Sequence, residues 1–275
     1  MKILLIISFL WSSAFAQKVL KTEQDINGVK SLRVVINLGM SELRLKRTNS
    51  PATAFSLNYD YSEEEKVPEL DYDIEGDVGV LHLSNEGHGS FPFFGFHGNK
   101  DSVSIELANS VPASLKMKFG VGDANVDLGG MKISDATFST GVCDFKLNFS
   151  SPNIIECNDL EIKTGISSIS VENLSNSHAR YIEFNGGLGS MKIDFGGKLQ
   201  HDCEVKIKSG LGSVDISIPS DINTSITAPG NFVNSVDVSG FYAQGDGAYR
   251  SDKKTGPQLR ITVDSGMGSI TIRSY

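Results

Sequence analysis

The chain is poor in the residues that most site chemistries need. Its three cysteines, Cys143, Cys157 and Cys203, are an odd number, too few for the disulfide framework of a small exported domain. Free buried thiols are the expectation: a catalytic cysteine would want a histidine partner, and Cys143 occupies the small-residue slot of a repeat corner. The five histidines include His88 and His97, close together, but no third ligand follows at a metal-site spacing. Basic runs are absent and the formal charge is -8, which argues against nucleic acid and anionic lipid as partners. Beyond the N-terminus no apolar run is long enough to cross a bilayer as a helix, so no transmembrane anchor is expected. No nucleophile elbow and no histidine-paired serine occurs, and no cofactor is implied.

What the chain has in abundance is glycine, and the glycines keep time. One phrase returns as KFGVGDANVDL, STGVCDFKLNF, KTGISSISV, NGGLGSMKI, KSGLGSVDI and DSGMGSITI, led by Gly120, Gly141, Gly165, Gly187, Gly210 and Gly266. A degenerate copy, NFVNSVDV, carries Phe232 in the glycine slot, and INLGMSELRL around Gly39 is an outlying copy. Counting Phe232, the steps from Gly120 are 21, 24, 22, 23, 22 and 34 residues. Self-similarity at such a period marks a solenoid or array.

Apolar pairs sit five and three residues before each glycine and four and six after it, as in Val205/Ile207 and Val214/Ile216 around Gly210. Spacing of two is the strand period, so both arms of each unit read as strands. The arms are offset by seven, an odd number, and one straight strand would send them to opposite faces. A bend or an extra residue at the glycine phrase restores one common interior, so the glycines are expected to be structural corners. The apolar residue inside each phrase (Val121, Val142, Ile166, Leu188, Leu211, Met267) is expected to plug the core at that bend. These features predict an all-β, single-handed β-solenoid of about seven 22-residue rungs with an N-terminal β region. A two-sheet sandwich is the competing architecture. The glycine phrases open no helices, against a dinucleotide fingerprint, and their period and serine content do not suit a calcium-binding roll. Asp127, Asp194, Asp215 and Asp237 recur on the outward side and read as a solvated ladder.

Residues 1–16 read as a signal peptide: a charged start, an apolar run and an Ala14-Phe15-Ala16 ending, with cleavage expected before Gln17. Residues 17–110 form an N-terminal β region and residues 111–275 the repeat. Between them, HGSFPFFGFHGNK carries Phe91, Phe93, Phe94 and Phe96. These rings are expected either to cap the open first rung or to contact a partner. A polar insertion over residues 239–258 bears Phe241, Tyr242, Tyr249 and Arg250; it reads as a flap over the last rungs, or as a contact loop. The final strand ends near the C-terminus as a terminal rung in need of cover.

The order INLGMSELRL, YDIEGDVGVLHLS, the Phe-rich break, VPASLKMKFGVGDANVDLGGMKIS and the GLGS-type rungs resembles the toastrack family of bacterial envelope proteins. It is similar to the cell wall-active antibiotic response (LiaF-like) C-terminal domain and to adhesin-type proteins with this repeat. The resemblance implies a β-solenoid or stacked-sheet fold and a place in the envelope: periplasmic, secreted or on the cell surface. The expected function is a noncatalytic, adhesin-like module binding an envelope or surface protein or glycan, with self-association through solenoid ends as a further possibility. The alternatives are a polysaccharide-active solenoid enzyme and an envelope-stress-linked structural or assembly component.

Overall fold

In a computed structural model of the chain, residues 17–62, 67–85, 101–230 and 234–275 are described. The signal segment and the Phe-rich stretch (Phe91, Phe93, Phe94, Phe96) lie outside them, as does Phe232. The strands are β1 (Gln17–Asp25), β2 (Ser31–Arg47), β3 (Thr53–Ser62), β4 (Glu69–Glu75), β5 (Val78–Ser84), β6 (Asp101–Leu107), β7 (Ala113–Asp127) and β8 (Ile133–Asn148). They continue as β9 (Cys157–Glu172), β10 (Ala179–Asp194), β11 (Cys203–Ile218), β12 (Asn223–Thr227), β13 (Asn234–Ser239), β14 (Tyr242–Gly245), β15 (Ala248–Arg250) and β16 (Gln258–Ser274).

β2, β7 to β11 and β16 stack in parallel and in register, each carrying both arms of one unit. Like residues therefore form ladders: Leu188 pairs with Leu211, and Leu211 with Met267. The odd offset is resolved at the glycine. In β10 and β11 the ladder passes from Gly186–Ser209 to Leu188–Leu211 and skips Gly187 and Gly210, the signature of a bulge residue left out of pairing. Val205, Ile207, Val214 and Ile216 then all reach the same interior, at no more than 1% exposed. The arms also fold onto each other. Phe138 and Phe145 of β8 bring their ring centroids to 5.2 Å, whereas seven residues of straight strand would span roughly 23 Å. Leu128, Phe149, Leu174 and Phe195, in the connections between rungs, are buried in the same cluster. The protein is an all-β solenoid of parallel, bent rungs.

The ends of the stack depart from the expected order. At the N-terminal end, β5 pairs with the first arm of β2 and β6 with its second, so these two strands make a rung divided at the corner. β4 lies outside β5, and β3 and β1 lie outside β6. β7 thus does not open the array. At the C-terminal end β16 is not the terminal rung. It sits between β11 on one side and β12 and β13 on the other, because the insertion lets the chain double back and enter the stack. Its cover is supplied in cis by the divided rung that precedes it in sequence.

Two expectations about polar groups also change. Asp127 accepts from the Gly129 and Ser150 amides at 2.9 and 3.2 Å. Asp194 accepts from the Gly196 amide and from the Tyr275 hydroxyl at 3.0 and 2.9 Å. These two carboxylates tie connections together rather than standing as a solvated row. His178, 6% exposed, closes the short 3-10 turn Leu174–Ser177 in a left-handed conformation with φ 50°. Burial holds its ring below the ordinary histidine value, His201 acts in the same direction, and a hydrogen bond with the Asn153 backbone opposes both. The unfolded chain then binds the proton more readily, so stability is full above the ordinary value near 6.5 and falls as pH drops toward the folded-state value. Melting curves at pH 7.5 and 5.0 are expected to show this loss, and His178→Asn, which suits the left-handed backbone, to reduce it. An equal loss in His178→Asn would refute the assignment.

Candidate binding surface

Each arm alternates inward apolar with outward polar residues, so function has to be sought on outward rows and at the ends. On the outer face of the first arms a shallow depression of about 370 Å³ is lined by Thr137, Asp159, Glu161, Tyr181, Glu183 and Glu204, among others. Tyr181 is 56% exposed at its centre. Around it Lys163 pairs with Glu161 at 2.7 Å, Lys206 with Glu204 at 3.1 Å and Lys208 with Glu183 at 3.1 Å. The hydrogen bond from Lys208 holds the Glu183 carboxyl below the usual carboxylate range. The surface therefore offers an aromatic face ringed by carboxyl hydrogen-bond acceptors and lysine donors. Tyr181 was not legible as a site residue, since in sequence it is one more outward strand position.

The insertion becomes a hairpin, β14 with β15, that adds to the edge of β12. Phe241 and Tyr249 pack against the core cluster, while Tyr242 is 62% exposed and Arg250 is exposed. The four residues are split between covering the last first-arm strands and facing solvent.

The corner residues overturn the expectation of a plug. Val142, Ile166, Leu188, Leu211 and Met267 are 46 to 56% exposed, and Val121 is half-buried. The cause is the bulge: the glycine and the residue after it both face outward, and the next residue turns in, as buried Cys143 and Ser167 do. Room for the glycine is set by the rung below. A Cβ on Gly187 would stand 2.5 Å from the Gly165 carbonyl oxygen, and one on Gly210 2.6 Å from that of Gly187. At Gly39, the first of the column, the nearest atom among the described residues is the Asn85 side-chain oxygen, 3.7 Å away.

All three cysteines are free and buried, and burial pushes each thiol up to about 12; they are protonated at neutral pH. Among the described residues no group of three or more His, Cys, Asp or Glu side chains could hold a metal, and no helix is long and apolar enough to cross a membrane.

A parallel, in-register stack of bent strands with a glycine column at the bend defines a toast-rack protein. The chain belongs to that family: residues 13–172 match the family described as the N-terminal domain of toast_rack, DUF2154. Among solved structures it is similar to a candidate cell adhesion protein from Clostridium sporogenes, with a TM-score of 0.51 and 19% identity over 94% of this chain and 100% of that one. A candidate adhesin from Bacteroides fragilis aligns over 93% of this chain and 97% of its own, with 10% identity and a TM-score of 0.41. At such identities the likeness speaks to fold alone. No curated protein matches the chain.

Proposed function

We propose that this protein is a noncatalytic, exported module of the cell envelope or surface, adhesin-like, that binds a surface glycan on the outer face of its first arms. The observation that carries the reading is the exposed Tyr181 in its depression, ringed by Glu161, Glu183 and Glu204. A sugar ring can lie on the tyrosine face while its hydroxyls donate to the carboxylates. Glycoside cleavage would need one carboxyl held protonated as a general acid, and Lys208 drives Glu183 the other way. Binding without turnover is the better-supported chemistry. Export rests on residues 1–16 and the Ala14-Phe15-Ala16 ending.

The test uses envelope polysaccharide immobilised on a surface. Wild type is expected to bind, and Tyr181→Ala to bind at least roughly tenfold more weakly, a loss of about 1.4 kcal/mol, with an unchanged melting curve. Release of new reducing ends would make the protein an enzyme, and equal binding by Tyr181→Ala would move the site elsewhere. Mass spectrometry of the exported chain is expected to find Gln17 at its N-terminus; a soluble cytoplasmic pool starting at Met1 would overturn export.

A further inference from the structure

The corner column contains its own control. At the position after the glycine the seven bent strands carry Met40, Val121, Val142, Ile166, Leu188, Leu211 and Met267, apolar without exception. The outward residues two positions after those are Glu42, Asp123, Asp144, Ser168, Ser190, Ser213 and Ser269, polar without exception. On the other flank Lys163, Asn185, Lys208 and Asp264 accompany the last four rungs. Outward positions on both sides are thus polar, while the one between them is apolar and, from Val142 to Met267, about half exposed. Core packing does not account for this, because these side chains face away from the core. The in-register pairing sets them about 4.8 Å apart, in a line on the outside of the bend.

We infer that this ridge inserts into the headgroup–acyl boundary of a zwitterionic lipid bilayer. A second copy is a poor occupant: stable protein interfaces use roughly 20–30 residues a side, and a convex single file of aliphatic residues meets another such ridge only along a line. A bilayer deforms around a ridge and takes up aliphatic side chains without requiring a matched pocket. The flanks point to the headgroup. Lys163 and Lys208 are neutralised by Glu161 and Glu183, and the opposite flank of the last four rungs is serine. Along these four rungs the border keeps one acidic residue, Asp264, beyond those pairs, and a chain of net charge -8 gains nothing from an anionic surface. The ridge lies on a different outward row from Tyr181, so this inference does not depend on glycan binding.

The experiment is flotation of the protein, as cells release it, with phosphatidylcholine vesicles. Wild type is expected to float, to remain bound in 0.5 M salt, which is roughly the range where surface ion pairs are largely screened, and to bind no better when phosphatidylglycerol is added. Leu188→Ser with Leu211→Ser is expected to lose at least roughly tenfold in partitioning, whereas Ile154→Ser, an equally exposed apolar residue off the ridge, keeps it. Met267→Trp supplies a readout that needs no loss of binding: its emission should shift to the blue on adding vesicles. Failure of wild type to float, equal flotation of the double variant, release by salt, or an unshifted Met267→Trp spectrum would each overturn the inference. A wild-type dimer that the double variant abolishes would overturn it too, by assigning the ridge to a second copy.

Discussion

Gly210→Val is expected to lower stability by roughly 2 kcal/mol or more, and Gly39→Ala to change it by less than about 0.5 kcal/mol, although both replace the leading glycine of the same phrase. The difference lies in what each added carbon meets. On Gly210 it would lie 2.6 Å from the Gly187 carbonyl oxygen, a backbone atom held by the ladder on either side, and on Gly39 it would lie 3.7 Å from the Asn85 side-chain oxygen. Backbone cannot swing aside as a flexible side chain does, so the rung must move and carry its register with it. A β-branched valine adds two methyl groups to the collision. For a chain of this size a loss of 2 kcal/mol lowers the melting temperature by roughly 4–8 °C. Thermal melts of the two variants decide the matter: coincidence of Gly210→Val with wild type would mean that the column is not close-packed.

Ile270→Asp is expected to prevent folding or to cost roughly 4 kcal/mol or more, while Val236→Asp, its ladder partner, costs about 1 kcal/mol or less. Ile270 is 1% exposed on β16 and pairs with Met191's column through Val214 on one side and with Val236 on the other. A carboxylate placed there would be desolvated without a partner, against a total stability on the order of 5–15 kcal/mol. Val236 belongs to β13, which among the described residues pairs with β16 alone, and its side chain is half-buried. If β16 were the terminal rung, the two effects would be reversed in order. Circular dichroism and solubility of the two variants distinguish these arrangements, and a folded Ile270→Asp beside an unfolded Val236→Asp would refute the placement of β16.

Much of this protein is written in local pattern. The spacing of two in Val205/Ile207 and Val214/Ile216 determined the arms, the odd offset between them required a device at the glycine, and the period required stacking. Those inferences need only strand geometry and the rule that apolar side chains leave water. The residue that follows the glycine could not be read the same way. Leu188 as a plug and Leu188 as an outward ridge obey the same alternation and differ only in where the bulge puts its extra residue, a one-position choice that decides which way the side chain points. Strand order was equally hidden. Nothing local to DSGMGSITI says whether it follows NFVNSVDV in space or slips beneath it, because ladder partners in a parallel stack are set by competition among similar rungs across the whole fold. Tyr181 and its ring of carboxylates come together for the same reason: Asp159, Tyr181 and Glu204 are separated by more than twenty residues in sequence and become neighbours only when rungs align in register.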